Sequence, residues 1–139
     1  MASPTLYTAV KGWLQTTFAP MQVLDFDQIE PQLEQGTASF LVVEELFASE
    51  SSMSIGDRAA TCLREEASIL VHVFVPAPES SSAARTLADN VRQRIAYRTI
   101  NGVRITSASP PDLEILNDGL WSVAVIDAEA QFDRHVALP

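Results

Sequence analysis

From Ala67 to Val75 the chain reads Ala-Ser-Ile-Leu-Val-His-Val-Phe-Val, and this stretch constrains the fold more than any other. Side chains of a strand alternate between faces, so Ile69, Val71, Val73 and Val75 form one apolar row. Leu70 and Phe74 flank His72 on the opposite face, which makes the strand apolar on both sides. Such a strand needs cover above and below. Pro76 and Pro78 stop it, because proline has no N–H to give to a sheet ladder. Ser80, Ser81 and Ser82 then offer hydroxyl caps to the first amides of a helix. From Ser82 to Tyr97 the residues Ala84, Leu87, Ala88, Val91 and Ile95 recur at helical spacing. Arg85, Asp89, Arg92 and Gln93 fall on the other side. A strand with a helix laid across it predicts an α+β unit.

The flanking segments extend this pattern. Ser3-Pro4 supplies a cap and a first-turn proline. Leu6, Val10, Trp13, Leu14 and Phe18 predict an amphipathic helix ending near Ala19-Pro20, with Trp13 as a core anchor. Gln22 to Asp27 reads as extended, and Glu30 to Gly36 as a loop. Phe40 to Phe47 predicts a strand, with Phe40 and Val42 on one face, Leu41 and Val43 on the other, and Glu44-Glu45 as an interruption. Ala48 to Glu66 is the least regular stretch and reads as a long hairpin arm or a mobile loop. Asn101-Gly102 opens the strand Val103 to Thr106, and Pro110-Pro111 breaks it. Leu113 to Leu116 restarts extended structure, and Asn117-Asp118-Gly119 marks a hairpin. The return strand changes its apolar parity between Val125 and Ile126, which requires either a β-bulge or a strand apolar on both faces. The tail from Arg134 to Pro139 reads as loose. The whole is expected to be one domain, a mixed and mostly antiparallel sheet with two helices packed on one face.

Candidate chemistry is thin. A net charge of −9 disfavours a surface that grips nucleic-acid phosphates. One cysteine, Cys62, excludes an intrachain disulfide or a cysteine-rich zinc site. The histidines, His72 and His135, lack ligand-spaced companions, and the five glycines form no phosphate-binding loop. Glu44-Glu45 and Glu65-Glu66 are adjacent pairs on strands, so their members point to opposite faces and make no carboxylate dyad. Asp89 sits at helical spacing from Arg85 and Arg92 and is expected to balance them. Neither a signal-peptide pattern nor a membrane-length apolar run is present, so a soluble protein made in the cytosol is expected.

In order, these features resemble the tail terminator proteins of long-tailed phages, and the related minor tail proteins of prophages and gene-transfer particles. The resemblance covers most of the chain. It rests on the N-terminal helix with Trp13, the strand Phe40–Phe47, the irregular arm, and the strand ending at Pro76. The helix with Leu87-Ala88-Asp89 and Val91, and the late strand opened by Gly119 and Trp121, complete it. The chain departs from the family at Pro76 to Ser82, where members often carry a glycine-rich connection. This keeps another head–tail connector or tail-completion protein as the alternative, with a small ligand-binding domain or enzyme behind it. The resemblance implies a ring, commonly hexameric, that caps the tail tube in the virion and docks on the head connector. DNA would pass through its lumen without specific binding; no catalysis, cofactor, metal or membrane is implied. The residues assigned to self-association or partner contact are Glu44, Glu45, Met53, Ile55, Arg58, Arg64, His72 and Phe74.

Overall fold

The computed structural model describes residues 4–28, 38–52, 60–76, 81–116 and 121–137. Helix α1 (Pro4–Thr17) leads to strand β1 (Gln22–Asp25) and a 3-10 turn, then to β2 (Phe40–Ser52) and β3 (Ala60–Pro76). Helix α2 (Ser81–Ile95) follows, then β4 (Thr99–Ile100), β5 (Val103–Ala108), β6 (Asp112–Leu116) and β7 (Trp121–Ala137). The strands form one sheet in the order β1-β2-β3-β7-β5-β4, with β6 also paired to β7. Among the described residues β1–β2 pair in parallel and the other strand pairs are antiparallel. This is the expected α+β class.

The centre of the sheet is the β3–β7 pair, which runs from Ala60↔Ala137 to Pro76↔Trp121 without a register shift. At roughly 3.3 Å per residue a strand of this length spans about 55 Å. Because the register is unbroken, the parity change near Val125 is not a bulge. The strand is apolar on both faces: Ala124, Ile126, Ala128 and Ala130 join the helix-side core, and Trp121 and Val123 join a second cluster. The same unbroken register corrects the expectation of a loose tail, since Arg134 to Ala137 pair with Leu63 to Ala60.

Both helices pack on one face. Leu6, Val10 and Leu14 of α1 and Ala84, Ala88, Val91 and Ile95 of α2 are buried against Leu41, Val43, Ile69, Val71, Val73, Val103, Ile105 and Ile126. The alanines of α2 let its backbone sit close to the sheet. The opposite face carries Phe40, Val42, Phe74, Trp121 and Val123, with Leu24 and Val125 packed against them. Phe40 and Phe74 stack at 4.6 Å and 6°, and Trp121 meets both edge-on at 76°. Offset and edge-to-face arrangements suit the quadrupoles of aromatic rings.

The described parts of the stretch from Ala48 to Glu66 are paired strands rather than a loop. Ser49 to Ser52 pair with Glu66 to Leu63, and residues 53–59 between the strands lie outside the described residues. The ladder skips Leu46, so Glu45 faces Ile69 and Phe47 faces Ser68. One extra residue on one strand is a β-bulge. Ile100 and Val103 pair across Asn101 and Gly102, whose φ angles are 49° and 83°. Two residues with positive φ make the turn whose twist matches a two-residue hairpin. At Gly102 a side chain would also lie 3.4 Å from the Phe132 ring. β5 and β6 then lie one after the other along the same edge of β7, parted by Ser109, Pro110 and Pro111.

Candidate functional site

Three polar groupings stand out, and their electrostatics separate clamps from possible contact sites. The first joins α1 to β1. The Tyr7 hydroxyl donates to Asp25 Oδ1 and lies 3.1 Å from the Val43 carbonyl, while Lys11 Nζ reaches Asp25 Oδ1 at 2.8 Å. Tyr7 and Lys11 are four residues apart, so they share one flank of the helix. Burial, and then the bond to Asp25, push the Tyr7 phenol above its usual range. Lys11, and then Tyr7, hold the Asp25 carboxyl below the usual carboxylate range. General acid–base chemistry near neutrality needs shifts in the other direction. The shallow depression here, about 380 Å³ and lined by Tyr7, Lys11, Gln15 and Asp25, lies over contacts that clamp α1 to β1.

The second grouping lies on the sheet face away from the helices, where apolar rows give way to polar ones. His72 Nε2 is 3.5 Å from Glu44 Oε2 across the β2–β3 pair. Arg64 donates twice to Asp133, at 2.8 and 3.1 Å, in a fork of two parallel bonds. Arg104 bonds Gln131 at 2.8 Å and lies 3.7 Å from Asp133. Ser68 bonds Glu129 at 2.9 Å. Burial, and then the charge of Glu129, raise the Asp127 carboxyl. Among the described residues no group of three or more His, Cys, Asp or Glu side chains is placed to hold a metal ion. No helix among them is long and apolar enough to cross a membrane.

The third grouping is the set of arginines on and just after α2. Arg92 Nε donates to the Ala108 carbonyl at 2.9 Å, Arg94 Nε to Asn90 at 3.0 Å, and Arg98 Nε to the Arg94 carbonyl at 2.7 Å. The Arg94 guanidinium lies 5.7 Å from the Phe18 ring centre, and that of Arg98 lies 5.1 Å from the Trp13 ring centre. Among the described residues no ion pair joins Asp89 to Arg85 or Arg92, so the expected local balance of charge is not formed. Trp13 is half-buried against the core and serves as a platform for Arg98. The signal was available: Asp89 is the one acid among five arginines between positions 85 and 104.

The assigned contact residues are scattered. Glu44 and Glu45 lie beside the bulge at Leu46, and His72 is next to Glu44. Arg64 is engaged with Asp133. Phe74 is 3% exposed, a core residue of its own chain with no face left for a partner, which corrects its assignment. Phe40, Val42, Trp121 and Val123 on the same face are likewise buried within the chain. Met53, Ile55 and Arg58 lie outside the described residues. Sequence reasoning missed Leu46, 60% exposed, and Tyr97, 80% exposed.

No protein-family model matches the chain, and no curated protein matches it. A solved structure of a protein known only by a sequence identifier matches 95% of this chain and 89% of its own. Its sequence identity is 13% and its TM-score 0.45.

Proposed function

We propose that the chain is a structural protein of a phage-type tail, one that caps the end of the tail tube as a ring, stops its growth and offers a docking surface to the head connector. The observation that carries this reading is the architecture the resemblance implies. Two helices lie on one face of a mostly antiparallel sheet. Its strands β2, β3 and β7 continue as an arm toward Ser52, Ala60 and Ala137. An arm of paired strands presents backbone and side chains to a neighbour without disturbing the core. The Tyr7, Lys11 and Asp25 contacts tie α1 to β1 and so hold this architecture rigid. The proposed role needs neither cofactor nor catalysis.

The test is electron microscopy of tails assembled without this protein. Overlong or ragged tubes are the expected result. Tubes of normal length that fail to join heads would instead favour the connector role, and normal, head-joined tails would reject both.

A further inference from the structure

We infer that copies of this chain associate head to tail, the basic end at α2 and β4–β5 of one copy docking on the acidic β1–β2 end of the next. The inference rests on the reading of the protein as a ring former and names the surfaces that would meet. Charge is distributed unevenly. Residues 85–104 hold five of the nine basic residues but one of the 18 acidic ones, in a chain of net charge −9. The strand order places β4 at one end of the sheet and β1 at the other. Helix α1 separates them: Tyr7 and Lys11 reach Asp25 of β1, and Trp13 carries Arg98. At about 100° per residue, Trp13 points roughly 160° away from Lys11.

The basic end is organised to receive carboxylates. Arg94 and Arg98 use their Nε groups on neutral acceptors and lie over aromatic rings, and no carboxylate pairs with either among the described residues. A guanidinium already placed by a hydrogen bond and a ring binds carboxylates with less further ordering. Thr99 pairs with Arg104, and beside them Tyr97, Thr106 and Gln131 line an open notch of about 380 Å³. The acidic end carries Asp27, Glu44 and Glu45 around a β2 edge that β1 covers only as far as Val43, with Glu44 on one face of the strand near His72 and Glu45 on the other.

A second observation selects a copy of the same chain as the occupant. Two large apolar side chains are exposed among the described residues, Tyr97 at 80% and Leu46 at 60%. Each stands within a patch of opposite charge, Tyr97 among the arginines and Leu46 next to Glu45. The bulge at Leu46 turns that side chain out of the ladder. An apolar anchor inside a charged rim is what a protein contact uses, and complementary rims set its register. Two different patches on one molecule make a heterologous contact, which closes into a ring when the rotation permits.

The test is sedimentation of the wild-type chain at low and high ionic strength, with variants Arg94→Glu/Arg104→Glu and Glu44→Lys/Glu45→Lys. Circular dichroism and thermal melts check each fold. Wild type is expected to associate with concentration at low salt and to dissociate as salt rises. Each double variant alone is expected to bind at least about tenfold more weakly. An equimolar mixture is expected to regain association, since each variant retains one native end. Tyr97→Gly keeps every charge, and it is expected to weaken association while remaining folded.

A wild type that stays monomeric at low salt and high concentration overturns the inference, as does a double variant that associates like wild type. A mixture no stronger than its components does the same. Salt-sensitive retention of duplex DNA that Arg94→Glu/Arg104→Glu abolishes would assign the patch to phosphates instead. Tube capping separates the two levels. Dissociated variants that still cap tubes defeat this interface and spare the function; association as described without capping spares the interface and defeats the function.

Discussion

Replacing Phe74 by alanine distinguishes a core ring from a contact ring. Phe74 is 3% exposed, stacked on Phe40 at 4.6 Å and edge-on to Trp121 at 6.3 Å. Truncating a buried phenylalanine costs about 3–5 kcal/mol, from lost transfer energy plus the cavity left behind. Two aromatic contacts of about 0.5–1.5 kcal/mol each place Phe74 toward the upper part of that range. A loss of about 4 kcal/mol is a large share of the roughly 5–15 kcal/mol that holds a domain folded. With a urea slope near 2 kcal/mol/M, the midpoint falls by about 2 M. Equilibrium urea unfolding followed by tryptophan fluorescence and far-ultraviolet circular dichroism measures it. A midpoint shift under about 0.5 M, combined with weakened self-association, would refute the argument. It would return Phe74 to the interface role that the sequence assigned to it.

Further perturbations probe the rest of the fold. Tyr7→Phe removes the hydroxyl's one donated hydrogen bond, to Asp25, from a half-buried clamp and is expected to cost about 1–2 kcal/mol in urea unfolding. Because Asp25 is depressed in the folded state, its contribution is complete above the unfolded carboxylate range and is lost as pH falls through the lower folded value. Asp25→Asn should therefore flatten the acid limb of a stability–pH profile, and an unchanged limb would contradict the clamp. Tyr7 is raised, so its contribution is complete below the usual phenol range and lost at higher pH; Tyr7→Phe should flatten the alkaline limb. A double-mutant cycle on Arg64 and Asp133, whose side chains are 24% and 34% exposed, should give a coupling below about 1 kcal/mol. Tyr97 occupies the left-handed region at φ 61°. Tyr97→Gly should relieve that strain and raise stability by about 0.5–1 kcal/mol in thermal or urea unfolding.

The elements easiest to read were those with local signals. The rows Ile69–Val75 and Ala84–Ile95 announced a strand and a helix through their own spacing, and both are found. What escaped depends on partners distant in sequence. Residues 60–66 have no clean alternation, yet pairing with β2 on one side and β7 on the other holds them extended. The same pairing orders the backbone of residues 134–137. The Phe40, Phe74 and Trp121 cluster brings together three separate strands, so no window along the chain contains it. Asn101-Gly102 was legible as a turn, but β4 is two residues long and too short to announce a hairpin. Arg85 precedes Asp89, the weaker order for a helical ion pair, and Arg92 finds the Ala108 carbonyl instead. Helical spacing permitted a charge balance that competing contacts did not allow. Leu46 became visible only when the β2–β3 register was known.

The proposed role places a ring of this protein at one end of a tube. The most direct measurement is electron microscopy of purified tail tubes incubated with this protein, with tube length recorded after further tube protein is added. Ring density at one end only, with no further growth from that end, is the expected result. Tubes that elongate equally from both ends, or protein bound along their sides with bare tips, would contradict it.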